Sequence, residues 1–157
     1  MKRVLFIVAI MVVALSQFTE VSAQEEAKRF EVGGKVNVYS NWGGAMGVGA
    51  YFRYNNILGN LRLEPSFLVF CDDNASLDLT ADLQFPIEIS TTVDIYPLVG
   101  ISLNDYDVLG LGFNLGGGLD YSLTNRLNAN FGLKWMVVTQ RYNPNPLVFS
   151  VGLGYKF

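Results

Sequence analysis

Between residues 109 and 121 large apolar side chains stand at every second position. Leu109, Leu111, Phe113, Leu115, Leu119 and Tyr121 share one parity with Gly117, and the other parity holds Gly110, Gly112, Asn114, Gly116, Gly118 and Asp120. Successive side chains of a β-strand point to opposite faces, so this stretch reads as a strand with one greasy face and one polar or empty face. Seven more segments keep the same period: 30–39, 46–54, 61–69, 77–85, 93–103, 127–137 and 149–157. Connectors rich in Asn, Gly, Asp, Ser and Pro separate them, as at Asn55-Asn56, Asp72-Asp73-Asn74 and Asn143-Pro144-Asn145-Pro146. The expected fold is all-β, an eight-stranded antiparallel up-and-down barrel. Two irregularities stand out. Leu68 and Phe70 break the alternation late in the third segment, and Pro65 and Pro97 lie inside segments, where each removes a ladder hydrogen bond. A local bulge or weakened pairing is expected at both prolines.

The position of charge decides which side of such a barrel meets water. The eight segments contain Glu31, Lys35, Arg53, Arg62, Glu64, Asp78, Asp82, Asp94, Asp120, Lys134 and Lys156, all on the face opposite the apolar one. A soluble barrel would turn that face outward; a membrane barrel turns it inward and gives the greasy face to lipid. The glycines favour the second arrangement. Gly33, Gly47, Gly49, Gly112, Gly116, Gly118 and Gly154 are among those sharing the polar face. A solvated surface has no need to lose side chains, whereas eight strands enclose an interior only just wide enough for side chains to fill. Gly154 is expected to lie beside Lys156 with room for a small hydroxyl. Aromatic residues gather near both ends of the segments: Phe30, Phe52, Tyr54, Phe85, Tyr121, Tyr155 and Phe157 towards one side, Trp42, Tyr106, Trp135 and Phe149 towards the other. Two aromatic girdles suit a bilayer.

The chain starts differently from the way it continues. Met1-Lys2-Arg3 precedes twelve consecutive apolar residues, Val4 to Leu15, and Val21-Ser22-Ala23 places small or β-branched residues at a peptidase site. A twelve-residue helix spans about 18 Å against a hydrocarbon core of about 30 Å, so residues 1–23 read as a cleaved signal peptide rather than an anchor. Residues 24–28 form a short lead and 29–157 the barrel domain. Export with a single cysteine, Cys71, leaves no internal disulfide, and that thiol reads as inert near a strand end.

Several chemistries are disfavoured by composition. Beyond residue 23 there are nine basic and thirteen acidic residues without a basic cluster, so no nucleic-acid partner is expected. Asp72, Asp73, Asn74 and Asp78 lack the ligand spacing of a calcium loop, and Gly116-Gly117-Gly118 has no helix after it to cradle a phosphate. Neither a metal nor a cofactor is expected. The chain contains no histidine, and no Ser or Cys has an assignable general base, which argues against an enzyme.

The C-terminal run Phe149-Ser150-Val151-Gly152-Leu153-Gly154-Tyr155-Lys156-Phe157 resembles the terminal signal of outer-membrane barrels, with an aromatic end and apolar residues at every second position. Tyr96-Pro97-Leu98-Val99-Gly100 and Phe131-Gly132-Leu133-Lys134-Trp135 are similar to strands of the small OmpA-like and OmpX-like barrels. The resemblance covers 29–157. It implies a bacterial outer-membrane location, outer-membrane lipid as surroundings and recognition by the barrel assembly machinery through Phe149, Val151, Leu153, Tyr155 and Phe157. It also implies periplasmic termini, leaving 40–45, 71–76, 104–108 and 139–146 as short outward connectors. A monomer is expected. The eleven inward charges, five basic and six acidic, are near balance and are expected to pair into a plug, with Arg62 beside a carboxylate such as Glu64 or Asp82. The function read from this is a structural or interaction barrel of the cell envelope. A small porin-like channel and a soluble lipocalin-like binding barrel are the alternatives.

Overall fold

In a computed structural model of the protein, residues 29–71, 76–106, 109–139 and 144–157 are described. The expected signal peptide and the 24–28 lead lie outside the described residues. Nine strands follow in order: β1 (Phe30–Tyr39), β2 (Ala45–Tyr54), β3 (Arg62–Phe70), β4 (Leu77–Gln84), β5 (Ile87–Glu88), β6 (Val93–Asn104), β7 (Gly110–Ser122), β8 (Leu127–Val138) and β9 (Leu147–Lys156). The expected segments are all present, with ends displaced by one or two residues. The two-residue β5 carries the line of β4 past Pro86 and pairs with β6 as β4 does.

With β4 and β5 counted as one line, each strand is antiparallel to the next, and β9 pairs with β1, so the sheet closes into an eight-stranded barrel. The stagger of that closure is readable from the register. The path from Phe30 through Tyr54, Leu63, Leu83, Val99, Leu115, Trp135 and Leu147 returns beside Ser40, ten residues beyond Phe30 and just past the end of β1. Such a shear belongs with a strand tilt of about 35–45°.

Burial is inverted relative to a water-soluble barrel. Glu31 and Arg53 are 0% exposed, whereas Val99 is 56% and Leu115 63% exposed. Water does not favour an exterior built of Leu, Val, Ile and Phe, and hydrocarbon does. Leu68 and Phe70 obey the alternation after all: both point inward and are buried, so the break in pattern was in chemistry and not in geometry.

The prolines weaken pairing without shifting it. Between β2 and β3 the ladder is interrupted opposite Pro65, then resumes at Tyr54 and Leu63 in the same register. Between the β4–β5 line and β6 it is interrupted around Pro86 and Pro97, and again continues in register at Ile87 and Ile95. A proline offers a carbonyl but no N–H, which is what remains here: Phe85 N donates to the Pro97 carbonyl at 3.1 Å. No bulge is required.

Two tyrosines explain much of the glycine. A Cβ at Gly33 would strike the Tyr51 ring, and one at Gly118 would strike Tyr96. Each ring therefore lies flat across a bare stretch of wall. Gly154 is a correction to the sequence reading: its free space is already filled by the Glu31 carboxylate and the Tyr51 hydroxyl, so a small hydroxyl has no room. Cys71 sits exposed just after β3.

Adjacent glycines in β1 test the assignment of faces. Gly33 is inward against Tyr51, while a Cβ at outward Gly34 would find nothing closer than 3.9 Å. Gly33→Ala is expected to destabilise the barrel by about 1–3 kcal/mol through overpacking. Gly34→Ala should be neutral or stabilising by up to about 1 kcal/mol. Urea unfolding midpoints of the two variants in detergent measure the difference, and the reverse order would mean the faces are exchanged.

Candidate functional site: the lumen

The inward parity of neighbouring strands delivers charged side chains to one enclosed space. Nine of the eleven expected residues are buried there: Glu31, Lys35, Arg53, Arg62, Glu64, Asp78, Asp82, Asp120 and Lys134. Arg53 is the hub. Its guanidinium donates to Glu31 Oε1 at 3.0 Å, to Asp120 Oδ1 at 3.1 Å and to Glu64. Lys35 pairs with the other oxygen of Glu64. Arg62 donates to Asp120 Oδ2 at 2.7 Å and to Gln84 Oε1 at 2.6 Å. The expected pairing of Arg62 with Glu64 or Asp82 is therefore corrected: Asp120 reaches it across the lumen from β7.

Rings insulate this hub. The Arg53 and Lys35 cations lie 4.8 and 4.9 Å from the centre of the Tyr51 ring, and Arg62 lies 4.8 Å from that of Tyr96. Aromatic faces are attractive to cations and exclude water. The Tyr51 hydroxyl donates to Glu31 at 2.7 Å and accepts from Asn130 Nδ2 at 2.7 Å. One level towards the outward connectors, Lys134 donates to Asp82 Oδ2 at 3.0 Å and Asn114 Nδ2 donates to Asp82 Oδ1 at 2.8 Å. Ser66 and Thr80 share a hydrogen bond between β3 and β4.

Asp94 and Lys156 do not join the plug. Both are half-buried near the end that holds the C-terminus, where Lys156 Nζ donates to Ser122 Oγ at 3.4 Å. Asp78 is inside but paired with no cation among the described residues; the Tyr39 hydroxyl donates to its Oδ2 at 2.5 Å.

The sequence reading missed a second layer. At the opposite end the lumen is roofed by Tyr39, Trp42, Phe70, Met136, Val138 and Val148, with Tyr106 packed against them. Tyr39 stacks on Trp42 at 5.3 Å and Trp42 on Tyr106 at 4.9 Å, nearly parallel in both cases. The β1–β2 turn passes through Gly43 and Gly44 at φ +63° and +76°, which lets it fold Trp42 back over the mouth. Trp42 Nε1 then donates to the Pro144 carbonyl at 2.9 Å, fastening the roof to the β8–β9 connector. Trp42 and Tyr106 were expected in a girdle facing lipid and instead belong to this roof. The signal was present: Phe70, Met136, Val138 and Val148 are apolar residues at inward parity, all at the same end of the barrel.

Little space is left. A cavity lined by residues including Lys35, Asn37, Glu64, Asp82, Tyr96 and Lys134 has room for about one water. The acidic turn at Asp72, Asp73 and Asn74, read as solvated rather than as a calcium loop, lies outside the described residues, and no group of three or more His, Cys, Asp or Glu suited to a metal occurs among the described residues.

A closed eight-stranded barrel with an apolar exterior is the fold of a known family. The outer membrane protein beta-barrel domain family matches residues 5–157. The chain belongs to that family. Among solved structures it is similar to the N-terminal β-barrel domain of Pseudomonas aeruginosa OprF, with a TM-score of 0.66 and 17% identity over 83% of this chain and 99% of that one. It is also similar to Neisserial surface protein A, with a TM-score of 0.62 and 18% identity over 83% and 99%. Ail of Yersinia pestis in phospholipid bilayer nanodiscs gives 0.53 and 12% over 81% and 99%. At such identities the likeness is one of fold. No curated protein matches the chain in sequence.

The hub and the mouth should respond differently to truncation. Arg53→Ala leaves three carboxylates without their shared cation, and breaking a buried pair costs about 3–5 kcal/mol. Lys156→Ala removes one long contact near the solvent and should change stability by no more than about 0.5 kcal/mol. Urea titration of both folded variants checks this; equal losses would show that Arg53 is not the hub.

Proposed function

We propose that this protein is an integral β-barrel of the bacterial outer membrane whose lumen is sealed, serving the envelope as a structural or interaction element rather than as a pore. The observation that carries this reading is the double closure of the lumen. Ion pairs centred on Arg53 fill the middle, and the Tyr39–Trp42–Phe70–Tyr106 roof covers the outward mouth. A hydrated ion passing through would have to displace a stacked indole and then separate charges already paired in a dry interior. Among the described residues no serine or threonine hydroxyl in that space is hydrogen-bonded to a carboxylate, which favours a non-enzymatic role.

The route to the membrane is part of the same proposal. Residues 1–23 would direct export and be removed before Gln24. Phe149, Val151, Leu153, Tyr155 and Phe157 would be read by the assembly machinery; all five are at least 38% exposed on the lipid-facing side of the last strand. A strand that displays its whole apolar stripe outward is accessible to another protein before lipid covers it.

Planar-bilayer recording tests the sealed lumen. The wild-type barrel should show rare, brief currents at most, while the double variant Trp42→Ala, Arg53→Ala should leak. Large, steady openings in the wild type would replace this reading with the channel. Location is tested separately: the mature protein should fractionate with the outer membrane, need detergent, and run on an unboiled gel as a compact band that shifts on heating. A freely soluble monomer in plain buffer would refute it. Leu153→Arg should reduce the compact band, since Arg on the lipid face costs about 2–4 kcal/mol near the midplane.

A further inference from the structure

The buried lumen charges do not cancel. Lys35, Arg53, Arg62 and Lys134 face five carboxylates, those of Glu31, Glu64, Asp78, Asp82 and Asp120. The excess negative charge can be located. Four of the five carboxylates form ion pairs, and Asp78 does not among the described residues. Asp78 is 0% exposed and its Oδ1 has no hydrogen-bond partner. Asn37, on β1, is buried as deeply, and its Oδ1 also lacks a partner. The two side chains meet at one hydroxyl: Asn37 Nδ2 donates to Tyr39 Oη at 3.3 Å, and Tyr39 Oη donates to Asp78. Two bare acceptor oxygens and one uncompensated charge thus lie directly beneath the aromatic roof.

We propose that Asp78 and Asn37, joined through the Tyr39 hydroxyl, form a binding site for a monovalent alkali cation of sodium size, with their unpartnered Oδ1 atoms as its ligands. Carboxylate and amide oxygens suit hard cations; the chain has no imidazole, and the thioether of Met136 in the roof already accepts from Asn104 Nδ2 at 3.7 Å. Calcium takes six to eight oxygens and favours several carboxylates; this position offers one. Lys134 and Lys35 act on Asp78 from β8 and β1, which further disfavours a double charge. A single positive charge restores neutrality to the buried set and supplies both bare oxygens with a partner. The roof keeps the local dielectric low, so the attraction is worth more than at a surface. The site does not depend on whether the barrel conducts.

Thermal unfolding of the full barrel in zwitterionic detergent, followed by circular dichroism, tests this in sodium chloride against choline chloride at equal ionic strength and fixed pH. The wild type is expected to melt about 3 °C higher in sodium, with a saturable concentration dependence. Asp78→Asn, which keeps an acceptor for Tyr39, should abolish the difference. Asn37→Ala should raise the half-saturating sodium concentration about tenfold; it carries the comparison if Asp78→Asn does not fold. Equal melting of the wild type in sodium and choline overturns the site. So does a sodium effect that survives in Asp78→Asn.

Discussion

Everything in this barrel follows from the pairing of β1 with β9. A strand spanning hydrocarbon cannot leave its N–H and C=O groups unsatisfied, and a closed sheet is the one β arrangement that satisfies them all. Closure with eight strands then fixes the width of the interior, and the width decides what the inward parity can hold. Arg53, Tyr51, Tyr96 and Lys134 are too large to share such a space unless the tyrosine rings can lie flat on bare wall beside them, at their own cross-strand partners. Gly33 and Gly118 are those bare places, each under a tyrosine ring. The glycines and the large polar side chains are thus one adaptation, divided among different strands.

The interior that results is held by charge more than by apolar packing. Burying so many ions is costly, and the cost is offset only where each finds several partners. Arg53 shows how: three carboxylates from β1, β3 and β7 meet one guanidinium, so the hub ties together strands that share no ladder. Such cross-lumen bonds fix the relative height of distant strands, which local pairing alone specifies only through a chain of intermediates.

The strands and the sides they face were legible because their period of two is unbroken over long stretches, and because no charged residue inside a segment falls on the apolar side. What sequence could not supply was distance across the lumen. Arg62 and Asp120 lie on β3 and β7, and their meeting depends on the stagger accumulated around the whole barrel, which no single segment contains. The roof was hidden for a different reason. Phe70, Met136, Val138 and Val148 are apolar residues at inward positions, and a rule that equates apolar with lipid-facing reads them as irregularities. Trp42 was harder still, because it lies in a turn, and its burial rests on the two left-handed glycines that follow it.

The interrupted ladders beside the prolines give the wall a grain. Pro65 weakens the seam between β2 and β3, while Pro86 and Pro97 weaken the seam between the β4–β5 line and β6. The β3–β4 hairpin, continuous within itself from Arg62 and Gln84 to Val69 and Leu77, is therefore bounded on both sides by incomplete seams. In a closed cylinder cooperativity is limited by its weakest joints. The hairpin forms a panel set between two such joints, whereas in the β6–β7–β8–β9 arc the ladders run without a gap, so local opening of the wall is expected to start along the panel's edges.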